Sequence, residues 1–207
     1  MFSNRDLINE LIYTGYLKTP GIIKAFEKVD RKDFVPEVSA DEAYENYPLP
    51  IGYGQTISQP ATVAFMLELL QPESGDRILD VGAGSGWQTS LLGEVVGSKG
   101  QVIGLEIKND LIKLGNGNLE KYRQKNIKII KGNGYLGLPN EAPFDKIIVA
   151  AAAESIPPAL KEQLKINGRL VIPVGRGLQD IIMVDRIDES HYQETYYPGF
   201  VFVPLVT

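Results

Sequence analysis

The sequence predicts an α/β fold: a doubly wound, mostly parallel sheet with a helical N-terminal appendage and antiparallel C-terminal strands. Three observations carry that prediction. From about residue 60, apolar segments of strand length alternate with segments of helical period, the pattern of crossover-connected parallel strands. Ahead of that point the apolar spacing is helical, and in the last thirty or so residues strand-like segments follow one another with short links. A glycine-rich turn, "GAGSG", follows the first apolar strand, at the end of a strand where open α/β sheets hold their ligands.

Each element has its own signal. Ser3 can cap a helix over "NRDLINELIYTGY", in which Leu7, Ile8, Leu11 and Ile12 form a stripe at helical spacing. Pro20 sits where a first helical turn tolerates proline and opens "GIIKAFEKV". The segment "YPLPIGYGQTISQP", Tyr47 to Pro60, is too polar and too rich in Gly and Pro for a core element and reads as a loop. A helix over Pro60 to Leu70 precedes strand "RILDV", helix "WQTSLLGEVV", strand "QVIGLEI", helix "DLIKLGNGNLEKYRQ" and strand "IKIIKG". Strand "DKIIVAAA", helix "PPALKEQL" and strand "GRLVIPV" follow, and the tail reads as strands "QDIIMVDRID", "HYQETYY" and "FVFVPLV".

Composition narrows the chemistry. A chain of 207 residues can bury a proper core. No segment approaches the roughly 18 apolar residues of a membrane span, and the opening "MFSNRDLINE" does not read as a signal peptide. The absence of cysteine excludes disulfides, thiolate metal sites and cysteine nucleophiles, and fits a reducing cytoplasm, the expected location. A net charge of −5 argues against nucleic-acid binding, which needs a basic stripe. The single histidine, His191, lies in "DESHYQE" and reads as a solvated turn residue. Serine–histidine catalysis and histidine metal sites are therefore disfavoured, and no metal is expected.

"ILDVGAGSGW" places Asp80 two residues before Gly82, with Gly84 and Gly86 following. A dinucleotide fingerprint needs its third glycine where this chain has Trp87. The spacing suits S-adenosylmethionine, which has no pyrophosphate but carries an amino-acid tail. The loop amides can face its carboxylate, and Asp80 can help anchor its ammonium group, directly or through water. Glu106 closes the next strand, where a carboxylate can accept from both ribose hydroxyls. "KGNGY" closes the one after, where Asn133 or its neighbours, Gly132 among them, can meet the adenine edge.

These residues bring the chain close to a known family. Over about Asp33 to Leu205, through "DFVP", "PLPIGYGQTISQP", "ILDVGAGSGW", "KGNGYLG", "VAAAAESIPPALKEQL", "GRLVIPVG" and "FVPL", it resembles the protein-L-isoaspartate O-methyltransferases. The "GQTIS" segment is the most specific of these. The resemblance implies methyl transfer from S-adenosylmethionine to the free α-carboxylate of L-isoaspartyl residues in damaged proteins and peptides. The ester then favours return to succinimide, and some chains regain a normal aspartate. It implies a catalytic role for Ser58, cofactor contacts from Thr56 and Ile57, and a substrate side of Thr56, Ser58, Leu205 and Val206. The chain has Asn133 where the family often has Asp, and Ala61-Thr62-Val63 where some members carry histidines. A monomer is expected, divided into a helical appendage with the substrate loop (1–59) and one compact cofactor-binding catalytic unit (60–207).

A carboxylate with a pKa near 4 is ionised at neutral pH, so its methylation needs positioning rather than a general base. Ser58 can donate to one carboxylate oxygen while the other attacks. From the local pattern alone, Ser58 before Gln59-Pro60 also reads as a helix N-cap. Methylation of a normal aspartate or another carboxylate in a specific peptide, a nucleotide-dependent oxidoreductase and a non-catalytic cofactor sensor are the competing readings. Asn116-Gly117, Asn133-Gly134 and Asn167-Gly168 are steps at which the chain could itself form succinimide.

Overall fold

The computed structural model describes residues 2–206. Its main sheet has seven strands in the order β5-β4-β3-β6-β7-β8-β9. The strands are β3 (Arg77–Val81), β4 (Gln101–Glu106), β5 (Ile127–Lys131), β6 (Phe144–Val149), β7 (Leu164–Val174), β8 (Gln179–Arg186) and β9 (Tyr192–Phe200). The pairs from β5 through β7 are parallel, and β8 and β9 add antiparallel edges. The doubly wound sheet and its antiparallel end are as the sequence predicts. Strand order reverses around β3, which pairs with both β4 and β6, so the crevice at its carboxyl end is the natural ligand position.

Strand alternation sorts the core into two layers. Ile78, Val102, Ile148 and Val171 face α1 (Asn4–Tyr13), α2 (Pro20–Lys28), α3 (Pro60–Leu70), α4 (Trp87–Val96) and α5 (Asn109–Glu120). Leu79, Ile103, Ile147 and Leu170 face a thinner layer made by the short α6 (Pro158–Glu162) and by loop residues such as Tyr135 and Leu138. The N-terminal segment has no separate core. Leu7, Ile22, Phe26 and Phe34 pack in the cluster that contains Trp87 and Leu91, and Phe26 meets the Trp87 ring edge-on at 5.5 Å.

Two helices start on caps borrowed from elsewhere. Ser3 closes a capping box with Asp6 on α1, as its position suggests. Thr19 does not cap α2 with its own side chain. Glu68 of α3 accepts instead from the Lys18 and Thr19 amides, each at 2.7 Å. The α3 helix is served by Asn46, whose Oδ1 accepts from the Ala61 amide at 3.0 Å.

Several expectations change. The "YPLPIGYGQTISQP" segment is no irregular loop: β1 (Leu49–Gly52) and β2 (Gln55–Ile57) pair antiparallel in a separate hairpin. Tyr53 and Gly54 turn it with φ of 55° and 70°, the geometry that matches strand twist in a two-residue turn. "FVFVPLV" is not a full strand. After β9 ends at Phe200, the chain makes only a bridge at Pro204 to Ala152. Ile12 is 42% exposed, because α1 packs on one side only. His191 is exposed in the β8–β9 turn beside Asp188.

Candidate active site

The carboxyl ends of β3, β4, β5 and β6 open into a cleft that the β1–β2 hairpin roofs, the position at which open α/β sheets hold their ligands. Glycine-loop residues Gly82 and Gly84 form one wall, with Glu106 beside them and Gly132 further along. Thr56, Ile57 and Ser58 come from the hairpin, and Leu205 and Val206 close the far side. Nine of the residues expected from sequence thus share one cavity. Three do not: Asp80, Gly86 and Asn133 lie outside its walls.

Asp80 follows from strand alternation. With Ile78 it points to the α4 face, where Gln88 Nε2 (2.7 Å) and Thr89 Oγ1 (2.6 Å) donate to its two oxygens. It is completely buried. Burial pushes its carboxyl up to about 6, the two donors pull it down, and the nearby charge of Glu106 adds to the rise. Asp80 was expected to help anchor an ammonium group, directly or through water; its carboxylate lies outside the cleft wall and holds the first turn of α4 to the loop from behind. Gln88 is the part of this pair that reaches the cleft wall.

Of the glycine-loop amides expected to face a ligand carboxylate, that of Ser85, which lines the cleft, has no partner among the described residues, while those of Gly82 and Ala83 donate to the Leu105 carbonyl, at 2.8 and 3.2 Å. The Gly86 amide donates to Ala83 O, and that of Gly84 to Glu106 Oε2 at 3.1 Å. Gly86 starts α4 with φ of 88°, and a Cβ there would lie 3.1 Å from Leu119 and 3.2 Å from Ile129. Its absence from the cleft has a packing reason: the third glycine lets α4 and α5 close behind the loop.

Glu106 is 7% exposed and belongs to the wall. Oε1 accepts from the Ile107 and Lys108 amides, at 2.8 and 3.0 Å, and Oε2 from Gly84. A carboxylate has about four acceptor positions, so about one remains for a ligand hydroxyl. Asn133 turns its Oδ1 onto the Tyr135 amide at 2.9 Å, an Asx turn. The adenine edge was expected at Asn133 or its neighbours; Asn133 lies outside the cleft wall, and its neighbours Gly132 and Gly134 line it.

Ser58 does not cap α3. Gln59 occupies the N-cap without a side-chain bond, and Asn46 takes the Ala61 amide. The Ser58 hydroxyl makes no hydrogen bond among the described residues, and its carbonyl accepts from Arg31 at 3.1 Å. The site thus combines a free hydroxyl, a carboxylate with acceptor capacity and an apolar side of Ile51, Val63 and Leu205. Sequence reading missed the small pair Ala150-Ala151 in the wall, whose only signal is the alanine run after β6. It also missed Arg31, which carries no local signal at all. Among the described residues, no helix is long and apolar enough to cross a membrane. No group of three or more potential ligand side chains is placed there to hold a metal.

Comparison with known proteins gives the same direction. Residues 2–207 match the family model for protein-L-isoaspartate(D-aspartate) O-methyltransferase. The protein-L-isoaspartate O-methyltransferase of Methanopyrus kandleri is 42% identical over 202 residues, covering 97% of this chain and 89% of that protein. The one from Flavobacterium psychrophilum is 45% identical over 185 residues, covering 89% and 85%. A solved protein-L-isoaspartate O-methyltransferase superposes with a TM-score of 0.90 at 26% identity, over 99% of this chain and 66% of that one. A Plasmodium falciparum protein assigned to the same activity, in complex with S-adenosyl-L-homocysteine, gives 0.88 at 27% identity, over 99% and 98%. The chain belongs to the protein-L-isoaspartate O-methyltransferase family of S-adenosylmethionine-dependent enzymes.

Proposed function

We propose that this cleft binds S-adenosylmethionine between the glycine loop and Glu106, and that Ser58 holds the isoaspartyl α-carboxylate for methylation. The observation that carries the Ser58 assignment is its hydroxyl, which lines the cleft while Asn46 takes over the capping it would otherwise provide. The fit to an adenosyl ligand rests on the cleft's place at the strand ends, on Glu106 with acceptor capacity left, and on the apolar side opposite. When bound, the cofactor supplies an electrophilic sulfonium methyl group.

The chain's own residues have four tasks. Glu106 accepts from a ribose hydroxyl while its bonds to three backbone amides keep it in place. The first amides of α4 lack partners within the helix and favour a carboxylate there, a role the amides of Gly82, Ala83, Gly84 and Gly86 cannot take. Ser58 donates to one oxygen of the substrate carboxylate, which is ionised at neutral pH and needs no base. Thr56, Leu205 and Val206 flank the peptide, with Thr56 and Val206 exposed at the mouth. The substrate is a damaged protein or peptide, handled by a monomer without metal or nucleic acid.

The test is methyl transfer to an isoaspartyl peptide, scored as a base-labile ester, beside its aspartyl twin. Ser58→Ala should cut kcat about thirty-fold, the worth of one hydrogen bond to a charged group, while S-adenosylhomocysteine affinity stays within about twofold. Equal loss of both would remove the substrate role. Transfer to the aspartyl twin alone would overturn the repair assignment.

A further inference from the structure

Among the described residues one arginine is fully buried, and it lies beneath the β1–β2 hairpin. Arg31 begins the short 3-10 turn Arg31–Phe34, has no measurable exposure, and has no carboxylate partner among the described residues. Its guanidinium donates instead to four backbone carbonyls: Nη1 to Ala43 (2.7 Å) and Glu45 (3.3 Å), Nη2 to Tyr47 (3.0 Å) and Ser58 (3.1 Å). Tyr47 lies just before β1 and Ser58 just after β2. One nitrogen therefore ties together the two feet of the hairpin. The guanidinium carbon stands 5.4 Å from the centroid of Trp87, the residue after Gly86.

As a purely structural device this is an expensive choice. An unpaired cation loses hydration on burial, and an apolar side chain of similar volume would fill the space without that loss. Two donors, Arg31 Nε and Trp87 Nε1, are left buried without acceptors. What arginine provides is a rigid planar fork that can reach several carbonyls at once while its charge stands over an aromatic ring. A lysine is a point donor and cannot span the same four.

We propose that Arg31 is a positioning residue for methyl transfer: it clamps the feet of the β1–β2 hairpin onto Trp87 and so sets Ser58 against the glycine loop. This rests on the Ser58 assignment above. Reacting groups held slightly out of line lose rate steeply, so loosening the clamp should lower kcat far more than cofactor affinity, because Arg31 meets the cleft wall only at the Trp87 ring and the Ser58 carbonyl and contacts neither Glu106 nor the glycine loop.

The test is a double-mutant cycle on kcat with isoaspartyl peptide, using wild type, Arg31→Lys, Ser58→Ala and the double variant. Arg31→Lys should lower kcat about tenfold and leave S-adenosylhomocysteine affinity within about twofold. In the Ser58→Ala background the same change should cost less than twofold, because the group it positions is gone. If Arg31→Lys does not fold, Arg31→Met, which fills the space without a buried charge, takes its place in the cycle. Equal costs in both backgrounds, an unchanged kcat, or failure of both variants to fold would overturn the proposal. A Ser58→Ala protein with undiminished transfer would instead bring down the Ser58 assignment, and this inference with it.

Discussion

The two sides of the cleft are held in opposite ways. On the glycine-loop side, backbone and buried side chains satisfy one another at short range: loop amides meet Leu105 and Glu106, and Asp80 meets Gln88 and Thr89. On the hairpin side, Tyr53 is 57% exposed at the tip, and the feet hang from Arg31, which belongs to another segment. The first side is built as scaffold and the second as an adjustable mount. Changes on the first should register as stability or cofactor affinity, and changes on the second as rate or peptide recognition.

Gly86→Val should break the scaffold side hardest. It adds a branched side chain at φ of 88° against Leu119 and Ile129, and strain plus overpacking should cost about 4 kcal/mol in urea unfolding. Asp80 gives the next largest effect, and a signed one. Its carboxyl titrates near 3.9 unfolded and at about 6 folded. Between those values the native state binds the extra proton, so stability is fullest below about pH 4 and falls as pH rises to about 6. The loss should total about 3 kcal/mol, and Asp80→Asn should remove that slope from unfolding free energies measured across the window. An unchanged slope would remove Asp80 as its source.

Glu106→Gln should come third. An amide group must point its NH2 at Gly84 or at Ile107 and Lys108, so at least one charge-assisted bond becomes a donor–donor contact. S-adenosylhomocysteine affinity by calorimetry should fall about tenfold. The smallest effect belongs to the mount. Asn-Gly is the preferred pair for a turn with two positive φ values, so Tyr53→Asn should raise the melting temperature by about 1–2 °C with cofactor affinity unchanged. A loss of cofactor affinity from Tyr53→Asn would erase the distinction between the two sides.

The same division explains what could be read from sequence. β3 to β7 and the glycine loop were legible because short apolar runs and local spacing encode them, and nine of the residues expected from strand ends and from the family resemblance share one cleft. The errors concern non-local partners. Asp80 was expected in the cleft, but strand alternation turns it onto α4, where Gln88 and Thr89 wait. Ser58 looked like a cap because the residue that replaces it, Asn46, lies well upstream. The hairpin was hidden by Pro48, Pro50 and two glycines, which lower strand propensity but suit a short two-stranded ribbon with open edges. "FVFVPLV" alternates like a strand, yet leaves the sheet to close the cleft.

The borrowed cap of α2 also bears on the order in which the chain becomes structured during synthesis. The amides of Lys18 and Thr19 wait for Glu68, 50 and 49 residues further along. At about 5–20 residues per second, the second helix leaves the ribosome several seconds before its cap exists. An N-terminal fragment that stops short of α3 should therefore show little helix at 20–28, and the segment should become protected from hydrogen exchange only once Glu68 has emerged.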